Sequence, residues 1–327
     1  MLGPVVALKT GEPSATHPAV AEIARFIDVL APGTIAAQAA ALAERLDGSE
    51  IAGVHGYFAH APASVAAAAA KLRGLPYGFS AHALDVRKTP RSELARLARQ
   101  ASVVVSCNRE TAAEVALAAG TQPVLVPHGV DLAAFTPSAP PAAATVELLA
   151  VGRMVEKKGF AVLLSALAEL DHAFRLRLVG DGPLREQLTA QVQASGLSGP
   201  VQLVGRQTHA TLPAMYAAAD VVIVPSVVDR NGDRDGLPNV VLEAMASGRP
   251  VVASDVAAIS DAVSDGVTGT LVPPGDAGAL AAALAKQIAD PGLRAAMGTA
   301  GRQAVERNFD LGRCTARLLT MLERAYG

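Results

Sequence analysis

The 327-residue chain has no tryptophan, and aromatic residues make up only 3% of it. With a formal net charge of -2 and a pI near 6.4, that scarcity removes both the stacking platforms and the basic field that nucleic-acid binding requires. Only two cysteines occur, Cys107 and Cys314, far apart and without a CxxC or histidine-rich neighbourhood. This argues against a disulfide framework or a zinc site and fits a reducing compartment. No run of 18 strongly apolar residues is present, and ASVAAAAAKLRG reads as alanine-rich helix rather than a membrane span. The opening residues lack the basic-apolar-small pattern of a leader, so the expected location is cytoplasmic, with peripheral attachment at the inner membrane face as a further expectation.

What the sequence has is apolar content: 51% hydrophobic residues, enough at this length for two ordinary cores. Short β-branched runs alternate with longer Ala/Leu segments of helical period, which predicts parallel sheets wrapped by helices. PVVALK, EIAGVHG, YGFSAH, SVVVSC and PVLVPH form one set of predicted strands; VELLAVG, FRLRLVG, VQLVG, DVVIVPS, RPVVAS and GTLVP form a second. Between them, FTPSAPPAAAT has the composition of an extended linker. The expected division is a first α/β domain over 1–135, a linker over 136–145 and a second α/β domain over 146–309. An amphipathic helix over 310–327 is expected to pack back toward the first domain.

Most predicted strands end at Gly, His or Ser before a helix, where open α/β sheets gather ligand-binding groups. In VGRMVEKKGF, Gly152 lets backbone approach a ligand, and Arg153 and Lys158 beside a helix start suit a diphosphate; a solvated basic loop is the plainer alternative. LVGDGPLREQL carries Gly180-Asp181-Gly182 with Pro183 placed to open a helix. It lacks the third glycine and the distal acid of a dinucleotide fingerprint, and reads better as a tight turn. In DRDGLPNVVLEAMASGRP, Pro238 fits the first helical turn, which puts Asp235 just before the helix and Glu243 on it. Gly236 gives close approach, the free N–H groups can take a phosphate, and the two carboxylates can accept bonds from sugar or ribose hydroxyls. An acidic first turn complementing the helix dipole explains Asp235 well and Glu243 less well. Asn231, Asp233, Asp235, Gly236 and Glu243 imitate a calcium loop, yet the glutamate is one position late and a proline interrupts. In GFSAHALD, His82 at a strand end can bond a sugar hydroxyl or be satisfied by local backbone; His55, His60 and His128 share that ambiguity.

Taken in order, VGRMVEKKG, LVGDGPLREQL, VQLVGRQTHATLPAMYAAADVVIVPS, DGLPNVVLEAMASGRPVVAS and DGVTGTLVPPGD resemble the donor half of a retaining GT-B glycosyltransferase. The family is the large group 1 that includes sucrose synthases and bacterial mannosyltransferases, and the similarity covers about residues 146–327. VHGYFAHAPASVAAAAAKLRGLPYGFSAHALDVRK and VPHGVDLAAF resemble its exopolysaccharide branch. The resemblance implies two Rossmann-like, doubly wound parallel-sheet domains facing across a cleft. It implies that Arg153 and Lys158 bind the donor diphosphate and stabilise it as it leaves, that Asp235 lies near the transferred sugar and Glu243 on the ribose, and that His82 faces the donor sugar. Gly152, Gly236, Leu237, Pro238, Asn239 and Arg206 complete the expected donor-binding set. No metal and no cofactor is implied, the donor being a nucleotide-diphosphate sugar and the acceptor a saccharide or lipid-linked molecule.

Three departures stand beside these matches. The first acid is Asp235 where the family usually has Glu, one methylene shorter. The glycine pair usual after VVAS reads Ala257-Ala258, with Asp261 following in place of Glu. The usual Ser-Glu-Thr-Phe near the start reads Ala15-Thr16-His17-Pro18, and only DVLAPGTIAAQAAALAERLDGSE separates the first expected strand-loop-helix from IAGVHG, so the first domain is expected to be reduced. Two classes therefore stand: an active sugar transferase, or a catalytically weak nucleotide-sugar-binding partner with a decayed acceptor half. An oxidoreductase is the third and least supported.

Overall fold

A computed structural model of the protein describes residues 5–9, 25–27, 35–138 and 145–327. The chain divides into two compact units, Met1–Pro127 with Thr315–Gly327, and His128–Cys314. This division precedes the expected one. Phe135 is buried in the core of the second unit, with Tyr216 against its ring at 5.6 Å, and its carbonyl accepts a bond from Arg302 at 2.8 Å. The buried Arg249 holds the Ser138 hydroxyl at 2.9 Å. Residues 128–138 are thus part of the second unit, and the expected linker begins inside it. Positions 139–144 of that linker lie outside the described residues.

Unit 1 carries a six-stranded sheet in the order β2-β1-β3-β4-β5-β6, with β1 Val5–Lys9, β2 Arg25–Ile27, β3 Ile51–Gly56, β4 Tyr77–Ala81, β5 Val103–Ser106 and β6 Val124–Leu125. Strands β3 to β6 are parallel, whereas β1 pairs antiparallel with both β2 and β3. Arg25 and Phe26, at the end of the expected first strand-loop-helix PVVALKTGEPSATHPAVAEIARF, belong to strand β2 and not to a helix. The substituted motif Ala15-Thr16-His17-Pro18 lies outside the described residues.

The monotonic order of β3 to β6 has a packing consequence. Right-handed crossovers that always step the same way stack their helices on one face of the sheet. That face is covered by α1 Ile35–Arg45, α2 Ala61–Arg73 and α4 Arg91–Gln100, whose Leu42, Ala66, Leu94 and Leu97 pack on Val54, Phe79 and Val104. A short α3, Ala83–Lys88, precedes α4, and α5 Arg109–Ala119 follows β5. Val103 and Val105, which point the other way by the period-two rule, pack with Leu322 and Tyr326 of the C-terminal helix. The C-terminal helix therefore covers the second face of this sheet.

Unit 2 has the order β9-β8-β7-β10-β11-β12 with every pairing parallel, the strands being β7 Val146–Val151, β8 Phe174–Val179, β9 Val201–Gly205, β10 Val221–Val224, β11 Val251–Ser254 and β12 Gly269–Val272. Counted along this unit the order is 3-2-1-4-5-6, the doubly wound arrangement whose ligand crevice opens where winding reverses, between the carboxyl ends of β7 and β10. The helices are α6 Phe160–Ala168, α7 Arg185–Ala194, α8 Leu212–Ala217, α9 Asn239–Ala246, α10 Ala277–Ala289 and α11 Pro291–Asn308; α12 Leu311–Tyr326 closes the chain. Helix α7 opens at Arg185, two residues after the proline expected to start it.

Candidate functional site

The loops after β7 and β10 meet at the reversal point of unit 2. After β7 the chain passes Gly152, Arg153 and the buried Met154, makes one 3-10 turn over Glu156–Lys158, and enters α6 through Gly159. Gly159 is left-handed at φ 65, and a Cβ there would overlap the carbonyl oxygen of Pro225 at the end of β10. The two loops can approach this closely only with glycine at that position. The Val227 N–H then donates to the Lys157 carbonyl at 2.9 Å and locks the contact.

The Gly180-Asp181-Gly182 turn after β8 is held to the same loop by backbone. Met154 N–H donates to the Asp181 carbonyl at 2.8 Å, and a Cβ on Gly180, which has φ 137, would overlap the Gly152 carbonyl. Its glycines therefore serve close packing of two turns, in keeping with the tight-turn reading.

Side chains complete the site. Lys158 Nζ donates to Asp235 Oδ2 at 2.6 Å, and the Ser226 hydroxyl reaches the same oxygen at 3.4 Å. The lysine and aspartate side chains are 18% and 13% exposed, enough for an incoming anion to reach them. Lys157 Nζ lies 3.0 Å from Asp233 Oδ2 and 3.5 Å from Asp235 Oδ1. Burial pulls the Lys157 ammonium toward neutrality, but Asp233 and Asp235 together outweigh it and raise its pKa. Arg153 is exposed beside Gly152; its carbonyl accepts from the Val155 N–H at 2.8 Å, and its guanidinium makes no hydrogen bond or ion pair among the described residues. Gly236 and Leu237 lead from Asp235 to the helix, and Leu237 packs on the core.

The structure places Pro238 at the N-cap, at φ -67 and ψ 134, one position earlier than expected; α9 starts at Asn239. A pyrrolidine has no side-chain acceptor, so the N–H groups of the first turn receive no side-chain cap and remain directed out of the helix end. This is an anion-seeking terminus four residues beyond Asp235.

Glu243, on α9, is only 7% exposed. The buried Tyr216 phenol donates to its Oε2 at 2.7 Å, and the exposed His209 imidazole stands 3.8 Å from Oε1. Burial first, then the Glu243 charge and the hydrogen bond to it, push the Tyr216 pKa well above its ordinary value. One carboxylate oxygen is thus fixed by the protein and the other is turned to the exposed side. Tyr216 has no signature in sequence: in LPAMYA it reads as an ordinary core aromatic. Arg206, expected in the same set, is exposed at the end of β9 without an ion pair among the described residues.

His82 belongs to unit 1, at the N-cap of α3. Its backbone N–H donates to Asp85 Oδ1 at 2.8 Å, and its ring lies 4.9 Å from both Tyr57 and Phe58. Phe58 in turn stacks on His60 at 5.6 Å and 3°. In a chain so poor in aromatics, this cluster at the carboxyl ends of β3 and β4 was not legible from sequence. His55, by contrast, is buried structure: Nδ1 meets the Tyr326 hydroxyl at 2.8 Å and Nε2 the Ser80 hydroxyl at 2.9 Å. Burial and then the charge of neighbouring His82 lower its pKa to about 3, so the ring is neutral.

Two α/β units, the second with a reversal-point site of paired cations, a bare helix terminus and a buried glutamate, define the GT-B class of folds. Residues 145–290 match the family model for Glycosyl transferases group 1, and residues 5–134 match that for Glycosyltransferase Family 4. The chain belongs to these glycosyltransferases. It is 35% identical over 247 residues to the GDP-mannose-dependent alpha-(1-6)-phosphatidylinositol monomannoside mannosyltransferase of Mycolicibacterium smegmatis, covering 71% of this chain and 65% of that protein. It is 33% identical over 182 residues to the amylovoran biosynthesis glycosyltransferase AmsK of Erwinia amylovora, covering 55% of this chain and 45% of the relative. The chain spans about half the length of most of the curated relatives it matches. Among solved structures, HepE of Anabaena in complex with UDP and glucose shares the fold at a TM-score of 0.75 and 23% identity, over 88% of this chain and 82% of that one. No helix of the described residues is long and apolar enough to cross a membrane.

Proposed function

We propose that the protein transfers a hexose from a nucleotide-diphosphate sugar to a saccharide or lipid-linked acceptor in polysaccharide or glycoconjugate synthesis, with retention at the anomeric carbon and without a metal. The observation that carries this reading is the meeting of Lys158 and Asp235 at 2.6 Å at the sheet's reversal point, beside Arg153 and the uncapped end of α9. In this reading Arg153, Lys158 and the α9 N–H groups oppose the charge that appears on phosphate oxygen as the bond to the sugar breaks. Asp235 accepts from sugar hydroxyls, and Glu243 from ribose hydroxyls through Oε1, the oxygen that Tyr216 does not hold. Arg206 and His82 complete the set as donor contacts. The bond from the anomeric carbon to phosphate oxygen breaks, the bond to the acceptor oxygen forms on the same face, and the acceptor proton passes to the departing phosphate. No separate protein base is needed.

The names of the relatives support both a GDP-linked and a UDP-linked donor, and they support saccharide and phosphoinositide acceptors. The ring cluster of Tyr57, Phe58 and His60 suits a sugar face. The exposed Arg91, Arg96 and Arg99 on α4, with Lys71 and Arg73 at the end of α2, support peripheral attachment to an anionic membrane surface. Cys107 and Cys314 form no disulfide, which fits the cytoplasmic side.

The test is a thermal-shift screen against UDP-, GDP-, ADP- and TDP-sugars, followed by assay of the stabilising donor with glycan and lipid-linked acceptors in EDTA. A raised midpoint and release of nucleoside diphosphate, with an α-configured product from an α-configured donor, are expected. Inversion, or activity that disappears in EDTA and returns with magnesium, would overturn the mechanism. The reduced first unit favours one second reading, a nucleotide-sugar-binding partner; binding without turnover across all acceptors would select it.

A further inference from the structure

Three consecutive residues of the turn after β7 each hold one residue of the loop after β10. Glu156 Oε2 pairs with Arg230 Nε at 3.3 Å, Lys157 with Asp233 at 3.0 Å and Lys158 with Asp235 at 2.6 Å. The middle rung is not like its neighbours. Lys157 also reaches Asp235, at 3.5 Å, on Oδ1, while Lys158 holds Oδ2. The Asp235 carboxylate is therefore bracketed by two ammonium groups, one on each oxygen. We propose that Lys157 is a relief cation: when a diphosphate takes Lys158, the Asp235 carboxylate is handed to Lys157 instead of being left uncompensated beside the anion.

The inference rests on the nucleotide-sugar reading of this site and deepens it. Lys158 is neutralised by Asp235 at 2.6 Å, so a diphosphate that takes Lys158 must displace a carboxylate. Displacement alone would set a half-buried carboxylate against phosphate oxygens, and like charges in a partly desolvated site oppose binding. A second ammonium 3.5 Å from the free oxygen lets the carboxylate turn by a short side-chain motion with its charge matched throughout. Asp233 is the other half of the device, since its Oδ2, 3.0 Å from the Lys157 ammonium, holds that group within 3.5 Å of Asp235. When the diphosphate leaves, Asp235 returns to Lys158 and helps expel it. Lys157 touches neither phosphate nor sugar in this scheme; it is a positioning residue acting through Asp235.

Calorimetric titration of the full chain with UDP, GDP, ADP and TDP tests it, using the tightest of the four for all variants. Lys157→Gln is expected to weaken binding about tenfold and Lys157→Arg to restore it to within about threefold, with melting midpoints near wild type. In an Asp235→Asn background there is no carboxylate to hand over, so adding Lys157→Gln should change affinity by less than about twofold. A tenfold effect that persists in that background would mean Lys157 acts directly or through folding, and would overturn the handover alone. Failure of wild-type protein to bind any of the four would overturn the nucleotide-sugar reading itself.

Discussion

The two units use polar side chains in opposite ways. In unit 1, His55, Tyr326 and Ser80 form a buried, neutral chain of hydrogen bonds. In unit 2, Glu156, Lys157 and Lys158 face Arg230, Asp233 and Asp235 as ion pairs that solvent can reach. In a buried neutral network the loss of one partner leaves its direct neighbour unsatisfied and out of reach of water, so the network fixes one arrangement. A half-exposed ion pair costs little to break, because water and an incoming ion replace the partner. One region is therefore a fastening and the other an exchangeable grip. The fastening has a geometric basis: Gly53 and Gly78 leave space on β3 and β4 for the Tyr326 ring and hydroxyl, each of which would lie 2.5 Å from an added Cβ. His55 and Ser80, two residues further along the same strands, face the same way.

The largest expected effect lies where the grip depends on backbone. Gly159→Ala must overlap the Pro225 carbonyl and adopt a left-handed conformation, costing roughly 4 kcal/mol or more, and unit 2 should lose its cooperative melt in calorimetry. A soluble variant with an unchanged melt would show that the loops do not need this approach.

Acid should loosen the fastening next. The unfolded chain protonates His55 near the ordinary imidazole value of 6.5, the folded chain only at about 3, so unit 1 loses stability as pH falls through that window. The contribution is on the order of 1.4 kcal/mol per pH unit. Hydrogen exchange resolved by strand should show β3 to β5 losing protection faster than β7 to β11; equal slopes would remove the distinction between the units.

Tyr326→Phe keeps the ring packing but strips His55 of one partner, and should destabilise unit 1 by about 1–3 kcal/mol in denaturant titration. No change would make the hydrogen bond dispensable and the helix a purely apolar cover. The smallest effect sharpens the picture of unit 2. Ala257 has φ 55, alone among the described non-glycine residues in the left-handed region. Ala257→Gly should raise stability by about 0.5–1 kcal/mol; a loss would mean the methyl contributes packing that outweighs the strain.

The strands of both sheets were legible because β-branched runs are bounded by turn residues, and the site cations and Asp235 because they flank glycine turns at strand ends. Strand β2 escaped because RFI is too short to show a period. The unit boundary escaped for another reason. Proline and alanine content marks an extended stretch but not which core receives Phe135 or which arginine holds Ser138. Pairings over long sequence separation were equally hidden. Lys158 and Asp235 are 77 residues apart, and His55 and Tyr326 are 271 apart, so composition could make His55 look like a site residue when it is a fastening. Tyr216 was invisible as the partner of Glu243 because a buried phenol and a core aromatic leave the same trace in sequence.

The most direct measurement is steady-state release of nucleoside diphosphate from the stabilising sugar donor by wild type and Lys158→Ala. If the ammonium at 158 opposes the charge on the departing phosphate, turnover falls at least about 100-fold while the melting midpoint stays within a few degrees. Turnover within threefold of wild type, in a variant that melts normally, would contradict the site.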